Sequence, residues 1–237
     1  MSRRALCGRL AGCEDVNDAE RLRVDPAMRR VVGGRANERR AASTSEMDRF
    51  ETERLSSREN LTALMNLSGT WIDCVQKCAP LKELILHMGS SESPTHGQQQ
   101  GSADNGYFGC TCYRPLFVFN QHGDLERAML RRGNHNRVKF WRRVLLPVVE
   151  RYRDQAIPKY FRGDAAFAIP VLCCLLEEKS YQCAIRLTAN NVLMANISHP
   201  LTRPVGRPSC KPKVFYESYS YHAQSWDYPR RAVAEVE

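Results

Sequence analysis

One aspartate stands at a place where a sheet could present it for chemistry. Asp164 follows Gly163, just past a short strand-like stretch, and precedes a run that predicts a helix. In open α/β sheets, reactive groups gather at the ends of neighbouring strands. The alternative is a capping role, because aspartate is a favoured residue at helix starts, and the sequence alone leaves both roles open.

A second carboxylate should stand opposite Asp164, and the first predicted strand does not supply one. That strand ends in His87-Met88-Gly89, which contains no acid. His87 and Gly89 share one strand face by the period of two, and neither carries negative charge. Glu92 and Asp104 lie farther along in the following loop and would have to reach back. The sequence therefore predicts an incomplete acid cluster.

A basic, proline-rich stretch is the candidate contact with nucleic acid. Lys and Arg number 35 against 26 Asp plus Glu, which gives a net charge of +9 and favours a polyanionic partner. Cations on a loop suit a phosphate backbone or a narrow minor groove. The alternative is a solvated basic loop. The residues predicted to bind DNA are Arg203, Arg207, Lys211 and Lys213.

Other site classes fit the sequence poorly. The ten cysteines show no repeated C-x-x-C spacing and the six histidines are scattered, so we expect reduced thiols and no structural zinc. The longest apolar run, Ala165 to Leu176, contains Pro170 and falls short of the roughly 20 residues that cross a bilayer. The basic start, Met1 to Arg4, is not followed by an apolar segment. We expect a cytoplasmic protein without membrane contact.

The first 80 residues predict a helical region that we expect to act in DNA binding or as a linker. Pro26 divides the segment from Asp18 to Arg30 into two short helices, and Gly33-Gly34 ends the second. Residues 60–75 carry apolar side chains near helical spacing, so we expect this helix to pack on the domain that follows. Residues 35–57 predict a polar linker.

From residue 81 to about 200, strand and helix signals alternate. Strands are predicted at Leu84–Met88, at Tyr107–Asn120 with a hairpin partner at Leu125–Arg132, near Lys159–Phe161 and at Tyr181–Leu187. Helices are predicted around residues 140–152 and 169–179. Residues 90–104 predict a loop. This order favours an α/β fold with a ribonuclease-H-like mixed sheet and flanking helices. Residues 201–237 predict part of a β insertion.

Several long strings resemble DDE-type transposases of bacterial insertion sequences. The resemblance extends from about Gly8 to the last residue, and strings of this length are more specific than a short motif. They are residues 90–97, 105–113, 115–117, 123–127, 161–168, 184–187 and 203–208, which include Phe161-Arg162-Gly163-Asp164-Ala165 and Arg203-Pro204-Val205-Gly206-Arg207-Pro208.

The resemblance implies a catalytic core in which three acids hold two divalent metals, Mg²⁺ or Mn²⁺. Paired metals suit phosphoryl transfer because one activates the attacking oxygen and the other stabilises the leaving oxygen. The resemblance implies a first acid in an Asp-x-Asp-Ser-Ser string at the end of the first strand, a second in an Asp-Ala motif and a third on a late helix. Residue by residue, the second acid is Asp164, the first-acid position is Gly89, and His87 replaces the other aspartate of the Asp-x-Asp-Ser-Ser string. We expect the third acid to be absent, because the chain ends at Glu237 before its helix would begin.

Two missing acids predict a truncated, catalytically defective copy. Each 1.4 kcal/mol of lost transition-state stabilisation is about tenfold in rate, so losing the metal site should cost roughly a thousandfold or more. The implied partner is DNA at the insertion-sequence ends, with a possible dimer with an intact transposase. The alternatives are a noncatalytic DNA-binding protein that occupies element ends or inhibits an intact transposase, and an unstable remnant without a role.

Overall fold

A computed structural model of the chain describes residues 1–237 except 14, 98, 202–205, 207–210, 212–213 and 237, and except the side chains of residues 200 and 201. Two compact units are present, Met1–Leu67 and Ser68–Glu237. Among the described residues, no helix combines the length and the apolar composition that a membrane crossing needs.

The first unit is helical, and its helices begin where the sequence places caps. Asp25 accepts a hydrogen bond from the Met28 amide at 2.7 Å and starts the third helix, with Pro26 in its first turn. Gly33 ends that helix with a φ of 71°. The two short helices expected between residues 18 and 30 are thus confirmed. The helices are α1 (Ser2–Leu10), α2 (Ala19–Leu22), α3 (Pro26–Val32) and α4 (Thr44–Arg49), with further turns at Gly34–Asn37 and Phe50–Leu55.

The long helix α5 (Arg58–Cys78) confirms the helix predicted over residues 60–75 but not the burial of its apolar side chains. Trp71 is 71% exposed, and Leu61, Leu64, Leu67 and Val75 are exposed as well. Buried positions on this helix are Gly69 and Ile72. The expectation that this helix packs on the domain that follows is confirmed for residues 68–78, where Ile72 is buried, Ser68 Oγ donates to the Glu126 carbonyl at 3.3 Å and Gln76 Nε2 donates to the Tyr152 hydroxyl at 2.7 Å.

The second unit is built on a five-stranded mixed sheet whose central strand is β1 (Leu84–Ser90). The other four strands are β5 (Leu116–Phe119), β6 (Leu125–Met129), β7 (Lys159–Gly163) and β8 (Gln182–Ile185), and the spatial order is β6-β5-β1-β7-β8. On one side, β1 pairs antiparallel with β5, which pairs antiparallel with β6. On the other side, β1 pairs parallel with β7, which pairs parallel with β8.

This topology confirms the ribonuclease-H-like fold. A hairpin of antiparallel strands comes first, and helices then carry the chain to two further strands that run parallel with β1. Helix α6 (Trp141–Arg151) and helix α7 (Pro170–Glu178) pack on one face, where they meet fully buried side chains of β1, β5 and β7 such as Leu86, Val118 and Phe161. The opposite face carries the half-buried His87 and the exposed Arg162.

Residues 90–113 differ from the expected loop and single strand. They contain a small three-stranded sheet, in the order β2-β4-β3, of β2 (Ser93–Pro94), β3 (Ala103–Asn105) and β4 (Cys110–Tyr113). The stretch from Tyr107 to Asn120, expected to be one strand, is divided between β4 and β5 at Arg114-Pro115, because proline has no amide hydrogen for a central strand. The hairpin with Leu125–Met129 is confirmed.

After β8, two short helices, α8 (Asn191–Asn196) and α9 (Ser198–Leu201), lead to a second small sheet. It is an antiparallel hairpin of β9 (Phe215–Tyr221) and β10 (Arg230–Val236), whose first strand lies where the β element was predicted. Tyr221 and Trp226 pack edge to face at 5.4 Å and, with Leu193 of α8, form a small separate core.

Candidate active site at the strand ends

The pairing of β1 and β7 places the two candidate acid positions side by side. Met88 is the register partner of Gly163 in this parallel pair, so Gly89 and Asp164 are the next residue on each strand. Neighbouring strands lie about 4.8 Å apart, and register partners point to the same face. One of these two adjacent positions therefore carries a carboxylate and the other carries a hydrogen atom.

The Asp164 side chain is engaged on both oxygens. Its Oδ1 accepts a hydrogen bond from the Ala166 amide at 2.9 Å and caps the turn Ala165–Phe167, so the capping role is confirmed. Its Oδ2 faces Nη1 of Arg137 at 3.4 Å, and both side chains are about two-fifths exposed, at 42% and 43%. The carboxylate thus has a guanidinium beside one oxygen and a backbone amide on the other.

The electrostatics of the strand ends are positive. His87 and Arg162 are register partners on β1 and β7. Burial lowers the pKa of the His87 imidazole, and the charge of Arg162 lowers it further. A pair of carboxylates at this edge would raise the pKa of a neighbouring histidine instead. Burial and the neighbouring Arg162 thus both favour the neutral form of His87.

The residues present do not fit the two-metal centre that the family resemblance implies. In the described part of the chain, no three His, Cys, Asp or Glu side chains come together in a way that could hold a metal ion. Gly89 supplies no ligand, and Asp164 is paired with Arg137. Glu92 precedes β2, and Asp104 lies in β3 of the small sheet. The nine described cysteines are free thiols.

The first-acid position is nevertheless spatially open. A Cβ atom added at Gly89 would meet no heavy atom within 4 Å. A side chain could therefore begin at this position without displacing a neighbour. Packing does not require the glycine.

A wide groove runs from the strand ends to the β9–β10 hairpin. Its volume is about 1470 Å³, and His87, Asp164 and Trp226 are among its lining residues. Three exposed arginines contribute to the same lining, Arg162, Arg186 and Arg231. Arg230 also lines it, but its guanidinium is held by Glu177 at 2.8 Å. The groove is thus lined by four arginines and by three acids, Asp164, Glu177 and Glu235.

Most of the predicted DNA-binding loop lies outside the described residues. Arg203, Arg207 and Lys213 lie outside the described residues, whereas Lys211 is described and exposed.

The sequence analysis did not predict the contact between Arg137 and Asp164. A count of charges along the chain would have singled out the segment that contains Arg137, because residues 127–143 contain seven Lys and Arg and no Asp or Glu.

Comparison of the sequence with models of protein families identifies the family of this chain. The sequence model described as "Transposase DDE domain group 1" matches residues 1–237 of this chain. The chain belongs to this family of DDE transposases. A comparison with curated proteins finds no match.

Two solved transposase structures are similar to this family member at low sequence identity. One is piggyBac transposase in a synaptic complex with hairpin DNA, with 14% identity and a TM-score of 0.43 over 92% of this chain and 49% of that chain. The other is Mos1 transposase in a paired-end complex with the left transposon end, with 11% identity and a TM-score of 0.30 over 68% of this chain and 58% of that chain. This DDE chain spans about half the length of each.

Proposed function

We propose that this chain is a transposase-family protein of bacterial insertion-sequence origin that binds DNA but no longer cuts it. The observation that carries the proposal is Gly89, which stands beside Asp164 at the end of β1 and β7. An acid pair is reduced there to one carboxylate, and that carboxylate already contacts Arg137 and the Ala166 amide.

The cofactor of the family explains why this substitution matters. Divalent metal ions in DDE transposases activate the attacking oxygen and stabilise the leaving oxygen of a phosphodiester. The acids assigned to that role by resemblance are Asp164 and the residue at position 89. Without a carboxylate at position 89, we expect strand cleavage to fall by at least about a thousandfold, whether the ion is Mg²⁺ or Mn²⁺.

DNA binding depends on positive charge and does not require the carboxylate that is absent at position 89. The net charge is +9, and the groove beside Asp164 is lined by Arg162, Arg186 and Arg231. The two similar solved transposases are complexes with DNA. In this proposal the chain is cytoplasmic and binds insertion-sequence ends. Residues 1–80 form a helical DNA-binding or linker region, residues 81–200 form the core, and residues 201–237 form part of a β insertion. Arg203, Arg207, Lys211 and Lys213 contribute to DNA contact.

The test combines a cleavage assay with a binding assay on the same protein. Labelled duplexes that carry insertion-sequence terminal repeats are incubated with the chain in 5 mM Mg²⁺ or 1 mM Mn²⁺, and binding is followed by fluorescence anisotropy. We expect binding without cleavage. Asp164→Ala is the control, because metal-dependent nicking that disappears in this variant would overturn the proposed loss of activity. Absence of DNA binding would overturn the proposed role.

A regulatory role follows if an intact transposase is present. A noncleaving chain that binds element ends would lower the rate at which an intact enzyme cuts them, either by occupying the ends or by forming a mixed dimer. Adding this chain to an intact transposase at increasing molar ratios should reduce cleavage progressively. Unchanged cleavage at a tenfold excess would exclude inhibition.

A further inference from the structure

A segment with an unusual charge distribution lies between β6 and α6. Over residues 127–143 the chain has seven Lys and Arg and no acid, while the net charge of the whole chain is +9. Five of these cations are exposed on the loop and the first turn of α6. We call them the basic shelf, which consists of Arg132, Arg137, Lys139, Arg142 and Arg143.

A second layer of positive charge lies beneath the shelf. Arg114 and Arg131 are 8% and 4% exposed. Neither has an acidic partner among the described residues, and Nε of Arg114 and Nη2 of Arg131 lack a hydrogen-bond acceptor there. Burial, with a smaller contribution from the charge of Arg114, lowers the pKa of the Arg131 guanidinium to about 10. Unpaired buried cations carry a desolvation cost that a nearby anion reduces.

Arg131 also fixes the shape of the shelf. Its Nη1 donates to the backbone carbonyls of Asn136, Arg137 and Lys139 at 3.2, 3.0 and 2.7 Å, and its Nε donates to the Arg114 carbonyl at 2.9 Å. These contacts hold the loop from the inside. The exposed guanidinium and ammonium groups are therefore carried on an ordered backbone.

The small sheet supports the same loop from the other side. Asn105 donates from Nδ2 to the Gly133 carbonyl at 2.6 Å. A Cβ atom at Gly133 would lie 2.4 Å from the Ala103 carbonyl and 2.5 Å from the Cys112 carbonyl, so only glycine allows this close approach. The insertion between β1 and β5 thus anchors the shelf.

We propose that the basic shelf binds the phosphate backbone of double-stranded DNA next to the strand-end site. Five exposed cations without an intervening acid suit the repeated charges of a phosphate backbone better than a single small anion, which would need a concave site. The contact of Arg137 with Asp164 places part of the shelf beside the candidate active site. This inference rests on the proposed function, because it assigns a surface to the DNA contact.

The experiment compares two variants that lose the same charge. The shelf variant carries Arg132→Gln, Arg142→Gln and Arg143→Gln. The control variant carries Lys77→Gln, Lys82→Gln and Arg153→Gln, which replace exposed cations before β1 and after α6, toward the other end of the sheet. Arg137 is kept in both variants, so the contact with Asp164 is unchanged. Circular dichroism and thermal melting establish that both variants fold.

Binding of a dye-labelled 30-base-pair duplex is measured by anisotropy between 50 and 200 mM KCl. We expect the shelf variant to lose at least about tenfold in affinity at 100 mM salt, and its salt slope to fall by about 2 to 3, since each lost phosphate contact removes about 0.9. The control variant should lose much less. In hydrogen exchange, residues 130–143 of the unaltered chain should be protected by DNA.

Each other outcome has a separate meaning. Equal affinities or equal losses in the two variants would overturn the assignment of DNA binding to the basic shelf and leave DNA binding by the chain intact. Tighter binding of an RNA duplex of the same length would overturn the assignment to DNA. Absence of duplex binding by the unaltered chain at 50 mM salt would overturn the proposed function and the shelf together.

Discussion

Two carboxylate–arginine pairs in the α/β unit have very different surroundings. The Glu126 side chain is fully buried and pairs with Arg151. It also accepts hydrogen bonds from the Tyr152 hydroxyl at 2.8 Å and from Asn120 Nδ2 at 3.2 Å. Asp164 is 42% exposed, and its contacts are one guanidinium at 3.4 Å and one backbone amide.

The difference separates what holds the fold from what could do chemistry. The Glu126 cluster joins β6 to α6, and Gln76 of α5 extends it by donating to the Tyr152 hydroxyl at 2.7 Å. A change there leaves buried charge without a partner. A change at the strand ends leaves solvated groups and open space. Under the proposed function, the first-acid position can therefore change while the fold persists.

Glu126→Gln should have the largest effect of the changes considered, on the free energy of unfolding. Removing one partner of a buried ion pair leaves the other charge uncompensated, so we expect the free energy of unfolding to fall by roughly 3 kcal/mol. Arg151 also contacts Asp73 at 3.4 Å, which keeps the loss at the lower end of the usual range. Urea unfolding measures it. A loss below about 1 kcal/mol would show that the cluster does not hold the fold.

A smaller loss is expected from Tyr152→Phe. This change removes the hydroxyl that donates to Glu126 and accepts from Gln76, and hydrogen bonds to charged groups contribute about 1.5–3 kcal/mol. We expect urea unfolding to show a destabilisation within that range. Tyr160→Phe on β7 is the matched control and should be nearly neutral. Equal effects of the two changes would contradict the role of the cluster.

Asp164→Asn should have the smallest effect on stability. Asparagine caps as well as aspartate does, and an exposed ion pair contributes little, so we expect a change below about 0.5 kcal/mol. Thermal unfolding of this variant and of Glu126→Gln under the same conditions gives the comparison directly. A large loss for Asp164→Asn would mean that this carboxylate is structural.

The pKa of His87 reports the charge at the strand ends. Burial and then Arg162 lower this pKa. Arg162→Gln should therefore raise it part of the way toward the usual value near 6.5, as followed by NMR titration of the imidazole. An unchanged pKa would show that burial alone is responsible.

The sequence predicted the order of the core strands and the capping role of Asp164, because strand periodicity and Gly-Asp signals are local. It did not predict the small sheet of residues 93–113, since strands of two to four residues carry little pattern. The exposure of Trp71 was also missed, because spacing shows that a helix has an apolar face but not what covers it. Arg137 was missed because its partner is 27 residues away.

Manganese binding tests the central claim most directly. Titration calorimetry compares the unaltered chain with Gly89→Asp and with Gly89→Asp combined with Asp164→Asn. We expect no saturable binding by the unaltered chain up to about 1 mM, at least about tenfold tighter binding by Gly89→Asp, and loss of that gain in the double variant, because hard cations need more than one carboxylate. Tight binding by the unaltered chain that disappears in the single variant Asp164→Asn, titrated alongside the others, would contradict the account.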